Sequence, residues 1–145
     1  MKPFPLPSAL RHVRRTVKRL AEPAVGKFAR NPKDRAYRVL LSCILSLRTR
    51  DKTTDEASRR LFAEAPNLQA LAKLSEKRIS RLIYPVSFYN NKARGIKKMI
   101  QLLITNFKWK IPKEIDELLT LPGVGRKTAN LVRTVAYGLP GICVD

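Results

Sequence analysis

Cysteine is scarce: only Cys43 and Cys143 occur, far apart and without a CxxC pair, so neither a disulfide framework nor a zinc or cluster site is encoded. Two such thiols suit a reducing interior. Long apolar runs are missing too, because the strongest stretch, Val39 to Leu47, is interrupted by Ser42 and Ser46 and falls well short of a membrane span of about 20 residues. The N-terminus mixes Arg and Lys with apolar residues and has no clear cleavage pattern, so a soluble intracellular protein is expected. No segment alternates with period two and no long repeat is visible, which leaves little room for a sheet. Acidic residues are few, 11 Asp and Glu against 30 Lys and Arg, for a formal charge of +19.

That charge repels itself unless a polyanion neutralises it. The basic residues sit within patterned segments that are 44% hydrophobic overall, so the chain reads as a folded cationic surface rather than a disordered tail. Charge alone leaves an RNA-binding or ribosomal protein, and a protein docked on anionic lipid, as alternatives. At 145 residues one domain is expected.

Helical spacing recurs along the chain. Leu10, Val13, Val17 and Leu20 lie beside Arg11, Arg14, Arg15, Lys18 and Arg19 in a basic amphipathic helix that Pro23 and Gly26 end. An apolar helix from about Arg35 to Leu47 should form the centre of the core. Further helices are expected from Thr54 to Ala65, over Leu68 to Leu74, after a Ser75 cap and before Pro85, from Lys92 to Phe107, around Ile115 to Leu119, and from Arg126 to Tyr137. The fold class is all-α, with residues 1–30 as a basic helix and linker and 31–145 as a six-helix bundle.

The most informative string is Leu118-Leu119-Thr120-Leu121-Pro122-Gly123-Val124-Gly125-Arg126-Lys127-Thr128-Ala129. Two helices, within about residues 114–137, meet at a turn whose spaced glycines permit positive φ and close approach of a ligand to the backbone. The second helix begins just after it, turning free N–H groups and a positive dipole end outward, as a phosphate requires. A bare Pro-Gly turn is usually only a turn. Apolar anchors Leu121 and Val124, the two glycines, the adjacent Arg126 and Lys127, and small Thr128 and Ala129 together favour a grip on the DNA backbone that is blind to sequence.

At these residues the chain resembles the endonuclease III family, helix-hairpin-helix DNA glycosylases with abasic-site lyase activity, whose hairpin reads LPGVGRKTAN as Leu121 to Asn130 does here. The resemblance extends to Leu40–Asp51, similar to the family's LLSxxLSxQTxD helix end, and to Val86–Ala93, similar to IGLYNxKA. It implies a helix-hairpin-helix glycosylase bundle acting on double-stranded DNA with a damaged base or an abasic site, in the cytoplasm, at the nucleoid in a prokaryote. Lys127 would be the nucleophile, with the helix end, Arg126 and partial burial disfavouring its charged form, and Asp145 the catalytic carboxylate. Arg48 stands where the family has a glutamine that fills the space of the extruded nucleotide, and an arginine there bears on the opposite base. Phe88 would be the wedge into the duplex, although a lone Phe is more often a core residue.

The family continues past the aspartate into helices and a four-cysteine 4Fe-4S motif, and those ligands are not in this sequence. A truncated gene product, a fragment, or a minimal variant held by self-association or by a partner covering that region are the three explanations, and weak or absent lyase activity is expected of this chain alone. The leading reading is a repair enzyme for oxidised pyrimidines and abasic sites. A non-catalytic DNA-binding module is the alternative, and a monofunctional mismatch glycosylase is disfavoured by Lys127.

Overall fold

The structure, a computed structural model, describes residues 6–20 and 22–143; Asp145, one of the two expected catalytic residues, lies outside them. The described residues hold helices and no strand: α1 (Leu6–Val17), α2 (Ala24–Phe28), α3 (Arg35–Ser46), α4 (Asp51–Glu64), α5 (Leu68–Lys73), α6 (Glu76–Ile83), α7 (Tyr89–Thr105), α8 (Ile115–Leu119) and α9 (Arg126–Leu131), the last running into a π-helical turn at Val132–Ala136.

α3 is the axis of the bundle. Tyr37 and every residue from Val39 to Leu45 are buried, so this helix meets protein on all sides, as an apolar sequence without a polar stripe must. Around it close α2, α4, α9 and the π turn, with α6 and α7 packed on one another beyond α4. Small residues Thr54, Ala57 and Ser58, all fully buried, line the buried side of α4, where α3 packs. Tyr37 fixes the far end by donating its hydroxyl to the Ala65 carbonyl at 2.7 Å.

The helix α2 was not expected, because Pro23 and Gly26 read as breakers. Its five residues form through packing rather than propensity: Ala24 is fully buried, Phe28 meets Phe62 edge-on at 5.1 Å, and the first N–H is received by Asp51 Oδ1 at 3.1 Å. Ala24 and Phe28 thus pack on the core from within the stretch 1–30 expected as helix and linker. Two helix starts move. α4 begins at Asp51 instead of Thr54, whose hydroxyl donates to the Arg50 carbonyl at 3.2 Å, and α7 begins at Tyr89 instead of Lys92. The Ser75 cap forms as expected, its Oγ accepting from Arg78 N at 3.1 Å.

α1 contrasts with all of these. None of its residues is buried, and Leu10, Val13 and Val17 are about half exposed. Truncating a fully buried leucine leaves a cavity and costs about 2–5 kcal/mol, whereas an exposed site costs within about 0.5 kcal/mol. Leu41→Ala should therefore lower the denaturation midpoint sharply while Val13→Ala leaves it nearly in place; equal effects in chemical denaturation would contradict this division of the chain.

Candidate functional site

The hairpin forms as its sequence demands. α8 closes through Thr120 N donating to Glu117 O and Leu121 N to Leu118 O, both at 3.1 Å, and Val124 N then donates to Leu121 O at 3.1 Å. Gly123 takes φ +79°, the left-handed region where a Cβ is strained, while Gly125 at φ −99° is extended and precedes α9. The side chains of Leu121, Val124 and Thr128 are buried and anchor the turn, so these three offer an outside ligand only backbone. With glycine as N-cap no side chain reaches back to the first turn of α9, whose first internal bond is Ala129 N to Gly125 O at 2.9 Å. A Cβ at Gly125 would meet nothing within 4 Å.

Arg126 and Lys127 are both exposed at this helix start; the partial burial expected of Lys127 is not seen. Lys127 instead stands over a small cavity of about 250 Å³ lined also by Cys43, Ser46, Leu47, Arg48, Thr128 and Leu131. The end of α3 and the start of α9, 79 residues apart in Arg48 and Lys127, thus face each other across one opening. A larger cavity, about 670 Å³, lies between the loop after α7 and Tyr37, and contains none of the expected residues. Size is the poorer guide here, because the chemistry-bearing groups converge on the smaller one.

The chain then folds back on α9. Gly138, at φ +66°, ends the helical run, with Gly138 N donating to Thr134 O and Leu139 N to Arg133 O at 3.1 Å, each bond one residue wider than in a Schellman end, as the π turn before it dictates. Gly141 passes so close to α9 that a Cβ there would sit 2.9 Å from Asn130 Oδ1 and from Thr134 Cγ2, which explains glycine at that position. Burial pushes the Cys43 thiol up to about 12. That thiol is held protonated and inert. The four thiolates that a 4Fe-4S cluster needs do not fit these 145 residues, which hold two cysteines, one of them this buried thiol.

Beside the opening stand two side chains at positive φ, Arg48 at 54° and Phe88 at 55°. Phe88 is 58% exposed, which excludes the core role open to it in the sequence. The Arg48 guanidinium carbon lies 6.0 Å from the centre of the Phe88 ring. Neither conformation is cheap for a residue with a Cβ, so the surroundings must impose both. Three residues not singled out in the sequence do so: Ser87 Oγ donates to Arg48 O at 2.5 Å, Ser87 N donates to Thr49 Oγ1 at 3.1 Å, and the Lys92 ammonium donates to Leu45 O at 3.0 Å and Leu47 O at 2.7 Å. No spacing rule signals such tertiary ties; a lysine followed by Ala93 on a buried helix face was the one available hint.

A family model described as HhH-GPD superfamily base excision DNA repair protein matches residues 41–145. Endonuclease III of Thermotoga maritima is 40% identical over 130 residues, which cover 89% of this chain and 61% of that protein. Endonuclease III-like protein 1 of Mus musculus is 41% identical over 116 residues, covering 79% and 39%. Among solved structures, a trapped endonuclease III–DNA covalent intermediate, an estranged-adenine complex, superposes with a TM-score of 0.73 at 36% identity, over 80% of this chain and 53% of that one. A thermostable thymine-DNA glycosylase shares the fold at a TM-score of 0.72 and 23% identity. The chain spans about 60% of the length of the first of these relatives and about 40% of the second.

Burial lowers the Lys92 amine from its ordinary 10.5 to about 8. Between those values the unfolded chain binds more protons than the folded one, so the contribution of this group to stability rises with pH, and it is flat below about 8 where both states are protonated. The gap in denaturation midpoint between the wild type and Lys92→Met should accordingly widen in favour of the wild type from about pH 8 to 10. A gap that stays constant or narrows would show that the amine is not desolvated.

Proposed function

Because the chain belongs to the HhH-GPD superfamily of base excision DNA repair proteins, we propose that it is a DNA glycosylase with abasic-site lyase activity, acting on oxidised pyrimidines and abasic sites in duplex DNA. The observation that carries this reading is the convergence of Lys127 and Arg48 on one small cavity beside an uncapped helix start. A volume of about 250 Å³ sits just under the usual range for small-molecule pockets, the scale of one base rather than of a larger ligand.

In this mechanism the amides and positive end of α9, with Arg126, hold the phosphate backbone, and Gly125 lets it come close. The damaged nucleotide leaves the stack and enters the cavity. Lys127 Nζ, as a neutral amine, attacks C1′ of the sugar; the new C–N bond replaces the bond to the base, which departs with its electron pair and a proton. Ring opening gives a Schiff base between Lys127 and C1′. Loss of a C2′ proton then breaks the C3′–O bond by β-elimination, cutting the strand on the 3′ side, and water releases the lysine. Asp145 is the carboxylate assigned by its spacing from Lys127 to deprotonate the amine or to offset positive charge on the sugar. Support for that assignment is the close approach of Gly141 to Asn130 and Thr134, on the helical run that carries Lys127.

The test is borohydride trapping of this chain on an abasic-site oligonucleotide. A slow covalent adduct is expected from the wild type and none from Lys127→Ala. An adduct of equal yield in both would remove Lys127 from the mechanism, and tight binding of the abasic duplex with no adduct at all would favour a non-catalytic DNA-binding module.

The two hairpin glycines separate grip from stability. Gly123→Ala meets no atom but must adopt positive φ, a strain of about 1–2 kcal/mol that should lower the melting temperature. Gly125→Ala meets neither clash nor strain and should melt near the wild type, yet bind duplex DNA several-fold more weakly because its methyl stands where a phosphate approaches. Unaltered duplex affinity in Gly125→Ala would show that the phosphate lies elsewhere.

A further inference from the structure

Arg48 and Phe88 belong to loops 40 residues apart, yet one residue is bonded to both. The main-chain N–H of Lys92 donates to the Phe88 carbonyl at 2.9 Å, closing the first turn of α7. Its side chain crosses to the other loop, where the ammonium reaches Leu45 O, Leu47 O and, at 3.3 Å, Thr49 Oγ1. These acceptors flank Arg48 on both sides. Thr49 Oγ1 also accepts from Ser87 N, and Ser87 Oγ donates to the Arg48 carbonyl, so the two loops share a closed ring of hydrogen bonds.

The carbonyls at a helix C-terminus have no partner within the helix and attract a cation. α3 ends on Leu47, with no glycine to take the left-handed step, and the next residue, Arg48, takes it instead. A lysine from another helix therefore supplies what a glycine cap would otherwise supply. The consequence is local and directional: it places a long cationic side chain and an aromatic ring side by side at the rim of the cavity, facing outward.

We propose that Lys92 is a positioning residue for damage recognition, which locks the Arg48 and Phe88 loops into a single rigid two-tipped probe. The inference rests on the reading of Arg48 and Phe88 as the side chains that enter the duplex. With the ring of bonds intact, the two tips insert together and the ordering of both loops is complete before DNA arrives. Without it, each loop relaxes from its strained φ, and insertion must first restore that geometry.

The experiment compares affinity for a duplex carrying a tetrahydrofuran abasic analogue with affinity for the intact duplex of the same sequence, using the whole chain. In Lys92→Met the ratio of the two affinities should fall about tenfold, in Lys92→Arg it should recover in part, and in Thr49→Val, which removes one shared acceptor with little change of volume, it should fall by less. A general loss of structure would weaken both duplexes by one factor and leave the ratio alone. If Lys92→Met does not fold, Thr49→Val and Lys92→Arg decide the matter, since the ratio should still fall in the first and be partly kept in the second. The proposal is overturned if Thr49→Val and whichever Lys92 variant folds keep the wild-type ratio while Arg48→Ala and Phe88→Ala lose it. If Arg48→Ala and Phe88→Ala keep the ratio as well, the reading of the two tips fails, and the lock with it.

Discussion

The structure depends on how α3 stops. A helix buried on every side stabilises the core by burying most of its length, but it must also surface, and its last carbonyls must find donors when it does. Here it surfaces at Leu47, with the Lys92 ammonium on the carbonyls of Leu45 and Leu47. One point then fixes three things: the direction in which Arg48 leaves the core, the start of α4 at Asp51, and the spacing between the α3 end and the α9 start that bounds the small cavity. A shift of a single residue at that stop would turn Arg48 to another side of the axis and move it from the opening.

Local chemistry made half of the site legible in the sequence. The hairpin is specified by a contiguous string in which each residue type has a backbone or packing reason: Gly123 for its positive φ, Leu121 and Val124 as anchors, Gly125 as a cap without a side chain. α3 was readable for the same reason, since an uninterrupted apolar stretch has few places to go but the centre. What could not be read is held by tertiary contacts alone. α2 has only five residues and a glycine, and exists because Ala24 and Phe28 find the core and Asp51 takes its first N–H. The π turn after Leu131 leaves no local signature, and the role of Lys92 requires knowing that residues 45 to 49 lie across from residue 92. Its charge gave no hint, in a chain where basic residues outnumber acidic ones by nearly three to one.

Grip and chemistry draw on different parts of the molecule. The proposed grip uses main-chain amides and small residues, which would make it insensitive to most side-chain changes and sensitive to backbone ones. The proposed chemistry pairs Lys127 on α9 with a carboxylate that follows the helical run. The described chain after the helix is constrained: the turn at Gly138 reverses it, and Gly141 then lies so close to the Asn130 and Thr134 side chains that a Cβ would collide. Gly141, which in the proposed mechanism touches neither substrate nor nucleophile, thus ties the segment after the helical run back to the helix that carries Lys127.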